Sequence, residues 1–108
     1  MFNLFKSNNL SQDQAYQQLI ADKSIKLIDV RTPQEFKEGH IAQSVNLPMD
    51  VLESKLAKSL PDKDAKIFVV CYSGSRASTA VSSMKKLGYT HVFNIGGVAT
   101  WTYGLTKK

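Results

Sequence analysis

The stretch VVCYSGSRAS, Val69 to Ser78, holds the only cysteine of the chain and joins an apolar run to a loop of small residues. Ile67-Phe68-Val69-Val70 is continuously apolar, as expected of a strand buried on both faces. From Arg76 to Leu87 the pattern is helical, and Gly88 can end it. Between the two the chain must turn sharply. Ser73, Gly74 and Ser75 are small enough for the backbone to curl, and Gly74 can take a positive φ without strain. A buried strand running through a tight loop into a helix is the order of a parallel α/β sheet.

The flanking sequence repeats that order. Ser11-Gln12-Asp13-Gln14 fits a capping box and opens a helix to about Ala21, with Ala15, Leu19 and Ile20 toward the core. Lys26-Leu27-Ile28-Asp29-Val30 reads as a strand. Thr32-Pro33-Gln34-Glu35 is a second capping box with proline at the first helical position, and Gly39 is its stop. Ser44 to Leu47 is a short strand halted by Pro48. Asp50 to Glu53 opens a third helix with Leu52, Leu56 and Leu60 along one face. His91-Val92-Phe93-Asn94-Ile95 is the last strand, followed by Gly96-Gly97 and a short helix through Trp101. Strands separated by helices imply right-handed crossovers and a mostly parallel sheet. Sites in such sheets form beyond the carboxyl ends of the strands, where Cys71 lies.

Composition narrows the class of protein. A chain of 108 residues, 43% hydrophobic and 21% charged, reads as one soluble domain over residues 1–108. A single cysteine cannot form an internal disulfide, so nothing points to an oxidising compartment. Met1 to Lys6 lacks the features of a signal peptide, and no apolar run approaches the ~20 residues of a membrane span. A cytoplasmic location without a membrane partner is the expectation. The formal charge of +5 comes from lysines scattered between Lys6 and Lys108, with no basic stripe to suggest nucleic acid.

Cys71 is either a small buried hydrophobe, as free cysteines often are, or a nucleophile in an anion cradle. The residues behind it favour the cradle. Successive N–H groups in such a curl point inward, and the following helix adds its unpaired N–H groups and positive dipole end. Sulfur held there is stabilised as thiolate, the reactive form. Arg76 adds a fixed charge with a forked donor set suited to an oxyanion. No acidic residue occurs between Asp64 and the C-terminus to oppose that field from nearby in sequence.

At this point the chain resembles a single-domain rhodanese, a sulfurtransferase, from about Leu10 to Trp101. Asp29-Val30-Arg31 with Glu35-Phe36 and Gly39-His40-Ile41 resembles the first signature of the family. Ser44-Val45-Asn46-Leu47-Pro48 follows in place, and Cys71 to Arg76 resembles the active loop. Gly88-Tyr89 leading to Asn94-Ile95-Gly96-Gly97-Val98 and Trp101 resembles the closing segment. Val98-Ala99-Thr100 departs from the bulkier residues common in relatives. The resemblance implies a rhodanese-like α/β fold, with a five-stranded, mostly parallel sheet flanked by helices on both faces. It also implies a persulfide carried on Cys71, with Tyr72, Ser73, Gly74, Ser75 and Arg76 binding substrate.

Cysteine loops ending in arginine also serve phosphatases and arsenate reductases, and phosphatases of that kind place five residues between the two. Here there are four, a tighter curl that suits one extra sulfur atom better than a phosphoryl group. The expected reaction moves a sulfane sulfur from thiosulfate or a similar donor to cyanide or a thiol acceptor by double displacement, without cofactor or metal. A persulfide carrier serving a protein acceptor is the alternative, with a cysteine-dependent phosphatase or arsenate reductase behind it. His40 and His91 lack ligand spacing and read as packing or hydrogen-bonding residues. Asp29 and Arg31 read as a charge pair fixing adjacent loops, with a binding role as the alternative, Trp101 as a wall of pocket or core, and Tyr72 as facing solvent or an acceptor.

Overall fold

A computed structural model describes residues 9–108; the stretch from Met1 to Lys6 lies outside them. Helix α1 (Gln12–Ala21) opens on the Ser11 capping box, with both reciprocal hydrogen bonds formed. It is followed by β1 (Lys26–Asp29) and by α2 (Pro33–Glu38), which opens on the Thr32 capping box and has Gly39 as its C-cap. Strand β2 is only Val45–Asn46. A 3-10 turn over Met49–Val51 leads into α3 (Leu52–Ser59). Strand β3 (Lys66–Cys71), α4 (Ser75–Lys86) and β4 (His91–Gly97) complete the order, with a 3-10 turn at Val98–Thr100.

All strand pairs are parallel, in the order β2-β1-β3-β4. Side-chain alternation on β3 divides the core in two. Ile67, Val69 and Cys71 face Leu52 and Leu56 of α3 and Ala77, Ala80 and Met84 of α4. Phe68 and Val70 face Ala15 of α1, with Leu27, Ile95 and Trp101. Helices therefore cover both faces.

Three expectations need correction. Among the described residues the sheet has four strands, where the family resemblance implies five. On the outer edge of β4 one bridge forms among the described residues, Asn9 to Asn94, with Leu10 N–H donating to the Asn94 carbonyl. After Leu10 the chain turns into the Ser11 cap. Ile20 is 51% exposed and does not join the core, because it lies about 140° round the helix from the buried Ala15. Asp50 does not cap α3, whose first residue follows the 3-10 turn without a side-chain cap.

Beyond the end of β1, Asp29 and Arg31 form a buried ion pair at 2.8 Å, with side-chain exposures of 0% and 5%. Arg31 Nε also donates to Asp29, and its Nη2 donates to the Gly39 carbonyl at 2.7 Å. The pair pins the end of α2 to the sheet. Asn46 Nδ2 donates to the carbonyls of Asp29 and Arg31, fixing the short β2 to the same corner. His40 belongs here as well: its ring stacks on Phe36, Nδ1 lies 2.8 Å from the Phe36 carbonyl, and Nε2 lies 2.8 Å from the Lys108 carbonyl. Replacing Asp29 with Ala leaves the Arg31 charge buried without its partner, and urea unfolding is expected to show a loss of about 3–5 kcal/mol. A loss within the error of the wild-type value would show that Arg31 finds solvent without cost.

Candidate active site

Cys71 is the last residue of β3 and is 1% exposed, yet its sulfur is not merely packed. Gly74 N–H donates to Sγ at 2.9 Å and Ala77 N–H, in the first turn of α4, donates at 3.4 Å. Gly74 has φ +110°, the left-handed conformation that lets the loop reverse beside the sulfur. Both donors stabilise negative charge on the sulfur, and the N-terminal end of α4 adds its dipole. Cys71 is thus at once a core residue and the centre of an N–H cradle. Ser73 and Ser75 are exposed, and Tyr72 is 55% exposed beside the sulfur-bearing residue.

The loop is held by β4 and the residues after it. A Cβ on Gly97 would fall 1.8 Å from the Tyr72 carbonyl oxygen and 2.5 Å from Ser73 N, so only glycine admits this approach. Ala99 N–H donates to that same carbonyl at 3.0 Å. Asn94, nearly buried, donates from Nδ2 to the Gly74 carbonyl at 3.0 Å and accepts from Gly96 N–H at 2.7 Å. Gln12 spans the Ile95 and Gly97 carbonyls from α1. A hollow of about 750 Å³ lies behind the loop, lined by Gln12, Ser73, Gly74, Asn94 and Thr100; Cys71 is not on its wall.

Arg76 is engaged differently from the sequence expectation. Its Nη1 and Nη2 donate to Glu35 Oε1 and Oε2 at 2.7 and 3.0 Å, closing a bidentate pair with α2. Glu35 Oε1 also accepts from Thr32 N–H at 3.0 Å as part of its capping box. The Arg76 guanidinium, followed by the Thr32 N–H, holds the Glu35 carboxyl at about 2 against an ordinary 4.5, with burial opposing. In return Glu35 holds Arg76 above its usual value, and the fields of Cys71 and Asp29 add to this.

The site thus brings together Cys71, Tyr72, Ser73, Gly74, Ser75 and Arg76, as a contiguous loop must, and adds Glu35, Asn94 and Gly97. Asn94 and Gly97 sit in the Asn94-Ile95-Gly96-Gly97 run, and the adjacent glycines were the signal of a close backbone approach. Glu35 lies 41 residues before Arg76, and nothing local marked it as more than a cap. Trp101 is a core wall, edge-on to Tyr16 at 6.0 Å, and His91 is exposed with Nδ1 beside the Thr90 hydroxyl.

Residues 11–103 match the rhodanese-like domain family. The chain belongs to that family. It is 34% identical to the thiosulfate sulfurtransferase PspE of Escherichia coli over 71 residues, covering 66% of this chain and 68% of that one. It is 30% identical to a sulfurtransferase of Allochromatium vinosum over 95 residues, covering 87% of each. The fold superposes on a rhodanese-like domain protein from Staphylococcus aureus with a TM-score of 0.82 at 29% identity, over 93% of this chain and 97% of that one. Relatives named as sulfurtransferases thus share sequence with this chain, and a rhodanese-like domain protein shares its fold.

Two outcomes follow from this geometry. Gly97→Ala must displace the Tyr72–Ser73 backbone, at an expected cost of about 1–3 kcal/mol; the rate at which iodoacetamide alkylates Cys71 should change with it. Unaltered stability and alkylation would show that the loop yields freely. The second concerns acid. The lowered Glu35 carboxyl contributes stability that is fully present above about pH 4.5 and lost as the pH falls toward about 2. Urea midpoints measured through that window should converge for wild type and Glu35→Gln; parallel curves would mean that the pair adds nothing to folding.

Proposed function

We propose that the protein is a sulfurtransferase that takes a sulfane sulfur from thiosulfate or a similar donor onto Cys71 and passes it to cyanide or a thiol. The observation that carries this reading is the pair of N–H groups, from Gly74 and Ala77, directed at Cys71 Sγ. An N–H cradle around a cysteine sulfur suits a thiolate before the first step and a terminal persulfide sulfur after it. Family membership and the names of its relatives support sulfur transfer over phosphoryl chemistry.

The reaction is a double displacement. The Cys71 thiolate attacks the outer sulfur of thiosulfate, the S–S bond of the donor breaks with its electron pair going to sulfite, and Cys71 becomes a persulfide. Cyanide or a thiolate then attacks the terminal sulfur, forming thiocyanate or a new persulfide and restoring the Cys71 thiolate. Neither displacement needs a metal or organic cofactor. Cys71 has no second cysteine in the chain to resolve it, so the acceptor comes from outside. The exposure of Tyr72 beside the sulfur suits a protein thiol as well as a small one.

Intact mass spectrometry tests this directly. Incubation with thiosulfate should add one sulfur atom, and cyanide should remove it. Cys71→Ser should show neither the adduct nor turnover. Retained transfer in that variant, or an unmodified wild type after every sulfane donor tried, would rule the reading out.

A further inference from the structure

Two arginines stand at the carboxyl end of the sheet, and each is already paired. Arg31 is held by Asp29, and Arg76 by Glu35. The four side chains carry no net charge together, so the positive potential at the sulfur comes from backbone N–H groups and the end of α4. Such a cradle suits a single negative charge. A second charge on the same ligand has to meet Arg76, whose two terminal nitrogens are both donating to a carboxylate.

We infer that Glu35 is a specificity-determining residue, which disfavours doubly charged sulfur donors such as thiosulfate and leaves singly charged donors, such as thiosulfonates, favoured. This rests on the sulfur-transfer reading above. The carboxylate cannot swing away cheaply, because its Oε1 also accepts the Thr32 N–H and hydroxyl that open α2. A dianion must therefore either share the guanidinium with a like charge or uncap the helix to free it. Both routes cost affinity for the dianion alone, the kind of discrimination that builds repulsion against one ligand and not another. The pair is only partly covered, with side-chain exposures of 38% and 31%, so an anion in solvent can reach it.

The chemistry is the same for both donors. The Cys71 thiolate takes the outer sulfur of thiosulfate and releases sulfite with two charges. From methanethiosulfonate it takes the equivalent sulfur and releases methanesulfinate with one. In each case one S–S bond forms as one breaks, the leaving group keeps the electron pair, and total charge is conserved. The two donors differ in the charge of the part that faces Arg76 and Glu35.

The test compares steady-state kinetics of wild type and Glu35→Gln with thiosulfate and with methanethiosulfonate, cyanide being the acceptor for both. Glutamine keeps a capping-box acceptor, so α2 is expected to stay folded. In Glu35→Gln the KM for thiosulfate should fall on the order of five-fold, the size of one screened charge interaction. The KM for methanethiosulfonate should move less than about two-fold, a uniform change in kcat being excluded by the split between KM and kcat. Added salt should erode the gain for thiosulfate first. The wild type alone gives a second reading that needs no variant: its KM for methanethiosulfonate should lie below that for thiosulfate. An unchanged donor ratio, or a thiosulfate KM that rises in Glu35→Gln, would overturn the inference and make Glu35 only a prop for Arg76. A wild type that gains sulfur from neither donor by intact mass would overturn this inference and the sulfur-transfer reading together.

Discussion

The close approach of the Cys71 loop to the backbone of Gly97 is the constraint on which the site depends. The Tyr72 carbonyl occupies the volume that any other residue at 97 would fill with its Cβ. From that contact the other positions follow. Ala99 N–H caps the same carbonyl, Asn94 holds the Gly74 carbonyl, and Gly74 is left in the left-handed conformation that aims its N–H at the sulfur. The Cys71 sulfur is placed by hydrogen bonds between backbone segments and by one missing side chain. Such an arrangement is rigid without requiring a large side-chain network.

A second theme is the neutralisation of charge at the sheet end. The buried Asp29–Arg31 pair and the Glu35–Arg76 pair use the same chemistry to different ends. The first has no solvent access and fixes a corner where β1, β2 and α2 meet. The second is part-exposed and ties α2 to the first turn of α4. Helix α2 is six residues long and contributes no buried residue to the core, so its position rests on these polar ties and on the stacking of Phe36 against His40.

Much of this was legible in sequence where the cause is local. The capping boxes at Ser11 and Thr32, the buried strand ending at Cys71 and the positive φ of Gly74 each depend on residues within a few positions of one another. The four strands among the described residues follow from apolar runs, and a fifth was suggested by family likeness only. What the sequence concealed depends on tertiary register. The absence of acidic residues after Asp64 suggested an unopposed Arg76, whereas the fold brings Glu35 against it from another helix. Asn94 read as one polar residue in a strand, because its partner, the Gly74 carbonyl, is adjacent only once β3 and β4 pair. Ile20 was assigned inward by hydrophobicity, although its angle round α1 turns it outward.

The small side chains along the inner face of α4 carry a consequence of their own. Ala77 and Ala80 are fully buried against the sheet, with Met84 a turn further on. Alanines let the helix axis lie near β3, and the depth at which the helix settles sets how far the Ala77 N–H stands from the sulfur. Because close-packed interiors yield little to added volume, that spacing is transmitted from the core like the throw of a lever. Drift in core volume beneath α4 over evolution would therefore retune the reactivity of the cysteine without any change at the loop itself.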